Sequence, residues 1–117
     1  MKNDKAYLKH ILNMIDRIES VTGTGKNTFL RSQLHQDAVL RNLHTMTETT
    51  QRLSENLKST HPDVEWATLA AFRNVLVHDY LGIDIELVWT VLTQDVPEFK
   101  SKIIKILSIL DADSLNS

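Results

Sequence analysis

From Ala67 to Val77 the chain reads A-T-L-A-A-F-R-N-V-L-V, apolar on nearly every side of a helix. A helix of that kind is buried on several faces. Read as a helix over residues 64–80, with Gly82 placed to stop it, the segment is expected to be the central element, against its own core on one side and a second subunit on the other. The rest of the chain must then supply helices that cover it.

Apolar residues recur at helical spacing through most of the sequence. Tyr7, Ile11, Met14, Ile15 and Ile18 predict a first helix over 3–20, ended by Thr22-Gly23-Thr24-Gly25. Val39, Leu43, Met46, Thr50, Leu53 and Leu57 alternate by four and three, a narrow seam that predicts one long helix over 32–59 after a short helical turn. His61-Pro62-Asp63 breaks it. Ile85, Val88, Leu92, Val96, Phe99, Ile103, Ile106 and Leu110 keep the rhythm to the end, as two stacked segments or one kinked helix. There Asp95 can cap a restart, with Glu98 three residues on and Pro97 in the first turn. Residues 111–117 are expected to fray.

Three glycines and two prolines in 117 residues leave few turns and argue against an all-β fold. The expectation is one all-α domain over 1–117, an antiparallel bundle of four to five helices. With no cysteine, neither disulfides nor thiolate metal sites hold it together. No apolar run approaches the roughly 20 residues needed to span a bilayer, and the charged start carries no apolar signal core, so a soluble cytoplasmic protein is expected. The net charge of −2 confines any nucleic-acid contact to a local patch or a cleft.

Several motifs dissolve on inspection. Gly25-Lys26 lacks the context of a phosphate loop, because Ser20 and Asn27 stand where glycine and Ser or Thr are needed. His10, His35, His44 and His61 are scattered over mostly polar positions, so no metal or cofactor is expected. Lys100, Lys102 and Lys105 read as a solvated face, with weak RNA steering as the alternative.

Arg73 breaks the pattern. It sits on the stripe Trp66, Leu69, Ala70, Leu76, Val77, Tyr80, where an unpartnered guanidinium would be costly to bury and cannot shed its proton. An acidic partner, a subunit interface or an anionic ligand must meet that charge. At about 100° per residue, Tyr80 lies almost above Arg73, while His78 is turned about 140° away beside Asn74. Arg73 and His78 converge if the helix loosens near its end or, the favoured case, if two chains press such helices together and gather both arginines and both histidines in one cleft. RNA carries its own nucleophile, the 2′-hydroxyl. A histidine moving protons and an arginine gripping phosphate could cleave it without metal, leaving a 2′,3′-cyclic phosphate.

The run Arg73-Asn74-Val75-Leu76-Val77-His78-Asp79-Tyr80 resembles the R-x-x-x-x-H-x-Y signature of HepT-like proteins of the HEPN superfamily. So do Tyr7-Leu8-Lys9-His10-Ile11-Leu12, the run from Gln36 to Leu43, Leu81-Gly82-Ile83-Asp84, and Val88-Trp89 followed by Asp95-Val96-Pro97. The resemblance implies a homodimeric all-α ribonuclease toxin with Arg73 and His78 as catalytic residues and Asn74 and Tyr80 in support. It also implies a nucleotidyltransferase antitoxin, as in a type VII system, that attaches AMP to Tyr80, and tRNA among the candidate substrates. A non-catalytic helical dimer that serves as partner and modification target is the alternative. Where the family often has Gly-Glu-Ala, this chain reads Thr47-Glu48-Thr49, keeping the acid and losing the small neighbours that let helices approach closely.

Overall fold

Helix α1 (Asp4–Thr22) is the centre of the structure, a computed structural model that describes residues 3–78 and 82–116. Its Leu8, Ile11, Met14, Ile15 and Ile18 recur every three or four residues, and all are buried. They pack against α3 (Gln33–Gln51) on one side and α7 (Val96–Asn116) on the other. After α1 the chain turns through Gly25, whose φ of 97° is open to glycine and disfavoured for other residues. The short α2 (Lys26–Arg31) then drives Phe29 into the core, 5.4 Å from the ring of Trp89.

The second long helix is shorter than its seam predicts. Ser32 caps α3 by accepting the His35 N–H, but the helix ends at Gln51, and α4 (Glu55–Thr60) starts afresh. The reason is Asp4. Its carboxylate, 3% exposed, accepts the Ser54 N–H at 2.9 Å and the Ser54 hydroxyl at 2.7 Å, while Ser54 Oγ accepts the Leu57 N–H. Ser54 can thus cap α4 only if the helix breaks before it. Burial alone would raise the Asp4 pKa, but hydrogen bonds, those from Ser54 among them, outweigh it and hold the carboxyl below its ordinary value.

The threonines that replace small residues in α3 are accommodated. Thr47, Thr49 and Thr50 are buried, and each hydroxyl donates to a carbonyl of its own helix: Thr47 to Leu43 at 2.9 Å, Thr49 to Thr45 at 2.7 Å, Thr50 to Thr47 at 2.6 Å. None of these three hydroxyls is stranded, and α3 packs against both α1 and α5.

The last helical rod begins at α6 (Ile85–Thr90), where the Asp84 carboxylate accepts the N–H groups of Glu86 and Leu87. It runs without interruption through a π-helical segment, Val91–Asp95, into α7. Asp95 therefore does not cap a restart; it lies inside the rod. Pro97 offers no N–H and its ring crowds the carbonyl four residues back, and the wider π turn absorbs both defects. Nor does the end fray from residue 111: α7 continues to Asn116. Lys100 to Glu19 at 2.8 Å and Lys5 to Asp111 at 3.1 Å clamp α7 onto α1. The all-α bundle is as expected, with four long rods and the short α2 and α4 at their joints.

Candidate active site on the fifth helix

Helix α5 (Trp66–His78) begins where the Trp66 indole N–H donates to the His61 carbonyl at 3.0 Å. It is not the central element that its composition predicts. It lies at the edge of the bundle, packed mainly on α3, and Leu76 is its one fully buried residue. The central place belongs to α1, whose apolar residues form a single stripe that two neighbours can cover.

The uncovered side of α5 is ordered by residue type. Ala67, Ala71, Asn74, Val75 and His78 fall on one stripe about 100° wide and all are exposed, Val75 by 46%. Val77 at the border is 39% exposed. The stripe is flat, largely apolar and ends in an imidazole. Its other flank borders a groove of about 280 Å³ with an apolar floor of Leu69, Phe72 and Phe99 and an acidic rim of Glu65, Asp95 and Glu98. Those carboxylates repel anions.

Arg73 is half-buried beside this stripe. Its Nε is enclosed without a hydrogen-bond partner, and its Nη1 donates to Asn74 Oδ1 at 3.3 Å. Among the described residues no carboxylate pairs with it. Asn74 lies between Arg73 and His78 around the helix axis, about 100° from the one and 40° from the other. The guanidinium is thus turned from the buried side toward the face that carries His78, which resolves part of the divergence an ideal helix imposes. Arg73 and Asn74 are brought together; His78 stands one turn beyond Asn74, solvent-exposed. Tyr80 lies outside the described residues.

Elsewhere, two lysines of α7 are engaged. Lys100 meets Glu19, and Lys102 donates to the Asp63 carbonyl and pairs with Glu98 at 3.4 Å. The Glu19 hydrogen bond raises the Lys100 pKa against the opposing effect of burial. Lys100 and Lys102 thus brace the bundle instead of standing free. His44 stands 3.0 Å from Glu48, and the His35 ring meets the Ser32 hydroxyl. Among the described residues no group of three or more His, Asp or Glu side chains is placed to hold a metal. No described helix is long and apolar enough to cross a membrane.

Residues 11–106 match the family described as Ribonuclease HepT-like. The chain is 34% identical over 116 residues to "Gamma-glutamylcyclotransferase and putative RNase MJ0434" of Methanocaldococcus jannaschii, covering 98% of this chain and 52% of that protein, about half its length. It is 32% identical over 117 residues to "Putative RNase MJ0127" of the same organism, covering 99% and 97% of the two chains. To "Probable ribonuclease HepT" of Thermococcus cleftensis it is 31% identical over 106 residues, 90% of this chain and 96% of that one. No solved structure matches the chain.

Proposed function

The chain belongs to the HepT-like ribonucleases of the HEPN superfamily, and on that premise we propose that it is a metal-independent RNA endonuclease whose Arg73 and His78 act in a cleft between two copies of α5. The observation that carries this reading is the exposed stripe of α5: an apolar surface that no described residue covers, ending in His78, with an arginine turned toward it that no described carboxylate pairs. A two-fold axis across Ala67, Ala71 and Val75 would cover the apolar surface and bring two arginines and two imidazoles to one groove.

The chemistry follows from what RNA provides. One imidazole takes the proton of a 2′-hydroxyl as its oxygen attacks phosphorus. The P–O5′ bond breaks, and the second imidazolium gives its proton to the departing oxygen. Arg73, held by Asn74, grips the non-bridging oxygens and stabilises the charge gathered in the transition state. The products are a 2′,3′-cyclic phosphate and a 5′-hydroxyl. The substrate supplies its own nucleophile, so the sequence of steps needs no metal-bound water.

In this reading the protein is the toxin of a two-component toxin–antitoxin system, acts in the cytoplasm, and takes tRNA as a substrate. A nucleotidyltransferase antitoxin silences it by attaching AMP to Tyr80, two residues beyond His78, where the added phosphate competes for Arg73. The ion pairing of Lys100 and Lys102 favours a second reading, a non-catalytic dimer that serves as partner and modification target.

Purified protein incubated with total RNA in EDTA separates the two. The nuclease produces cyclic-phosphate ends, and Arg73→Ala or His78→Ala lowers the rate about 100-fold or more. If wild type and Arg73→Ala give identical, background cleavage, the catalytic assignment is wrong.

A further inference from the structure

Between α1 and α3 lies a polar groove of about 360 Å³ lined by Tyr7, His10, Thr45, Glu48, Thr49 and Arg52, none of them a residue of α5. Its volume lies within the range of about 300–1,000 Å³ typical of small-ligand sites. Four of its groups have open hydrogen-bonding capacity. Among the described residues neither the Tyr7 hydroxyl, the His10 ring nor the Thr45 hydroxyl has a hydrogen-bond partner, and no carboxylate pairs with Arg52. Glu48 is differently placed: its Oε2 lies 3.0 Å from His44 Nε2, which leaves the other oxygen to accept.

The groove is also held rigidly. Asp4 lies one helical turn before Tyr7, and Ser54 lies two residues after Arg52. The buried hydrogen bonds between Asp4 and Ser54 therefore fix the end of α3 against α1 at this point. The Thr49 hydroxyl is committed to the Thr45 carbonyl and so keeps one orientation. Arg52 thus stands at one end of a preorganised cleft, an aromatic ring and an imidazole form one wall, and a carboxylate acceptor sits a turn away on α3.

We propose that this groove binds a single nucleotide unit. Arg52 holds the phosphate, the Tyr7 ring beside it lies against the ribose or base, and His10 and Glu48, farther along the groove, meet a ribose hydroxyl or the base edge. A phosphate at one end and hydrogen-bond donors at the other match the polarity of the groove, positive at Arg52 and negative at Glu48. The unit comes either from a free mononucleotide or from an unpaired residue of the RNA substrate; only the second source rests on the nuclease reading.

The test uses the full chain carrying Arg73→Ala, with RNA integrity checked on a gel after each titration, so that binding is read whether or not that residue is catalytic. Amide NMR spectra are recorded during titration with AMP, with CMP and with a short single-stranded RNA. The expected result is a saturable shift of Tyr7, His10, Thr45, Glu48 and Arg52, with Ala67 and Ala71 unmoved by the mononucleotides. Adding Arg52→Gln weakens it about tenfold or more, the loss of a charge-assisted hydrogen bond. Arg52 is exposed, so that variant should melt like its parent, and Tyr7→Phe gives a second, smaller loss. Shifts with mononucleotides identify a free nucleotide as ligand; shifts with RNA alone identify a substrate subsite. No perturbation of the groove by any of the three at about 10 mM, or unchanged affinity in Arg52→Gln, overturns the proposal.

Discussion

Helices α1 and α5 invert what their compositions promise. α1 mixes Lys, Asp, Glu and Arg with its apolar residues, yet Leu8, Ile11 and Ile15 are completely buried. α5 is apolar on nearly every side, yet only Leu76 is fully buried and Val75 is 46% exposed. The difference shows that a surplus of apolar residues does not place a helix at the centre of its own chain. α1 presents one clean stripe to two neighbours and becomes the hub. α5 carries more apolar surface than one bundle can cover, and the remainder faces outward, beside Arg73 and His78.

The largest contrast should come from truncating one apolar side chain on each helix. Ile15→Ala on α1 is expected to cost about 2–5 kcal/mol in chemical denaturation, because it opens a cavity at a fully buried position. Val75→Ser on α5 should leave the unfolding free energy of a dilute, monomeric sample within about 0.5 kcal/mol of wild type, while weakening self-association. Equal losses at the two sites would erase the distinction between hub and open face.

The hub depends on a buried acid. Asp4→Asn should cost about 1–3 kcal/mol at neutral pH by weakening the bonds to Ser54. The Asp4 carboxyl has a folded-state pKa below its ordinary value of 3.8, so its contribution is present above that value and is lost as pH falls through the lower, folded one. The gap between wild type and Asp4→Asn should therefore narrow in acid, below about pH 4. A gap that stays constant to pH 2 would deny Asp4 this role. The smallest effect belongs to the partly exposed Lys100–Glu19 clamp: Lys100→Met should shift the melting temperature little, and less still in high salt.

The helical rods were legible in the sequence because their apolar residues repeat at three and four. Two features were not, and each depends on contacts between distant residues. The break between Gln51 and Glu55 follows from Asp4, some fifty positions away, seizing Ser54. The peripheral place of α5 depends on how much surface α1 and α3 have left to offer. At the site, Arg73 stood out as a charge in an oily helix, and its lack of a carboxylate partner among the described residues agrees with that reading. Its turn toward Asn74 is a matter of side-chain conformation that spacing does not reveal. The α1–α3 cleft escaped notice because Tyr7 and His10 lie on one helix and Thr45, Glu48 and Arg52 on another.

The open face of α5 is tested most directly by Ala71→Asp, a charge placed in the middle of the exposed stripe and away from Arg73 and His78. Sedimentation and RNA cleavage would be measured on the same sample. A folded monomer with Arg73 and His78 intact and no cleavage is the expected outcome. A monomer that cuts RNA as fast as wild type would contradict the shared cleft.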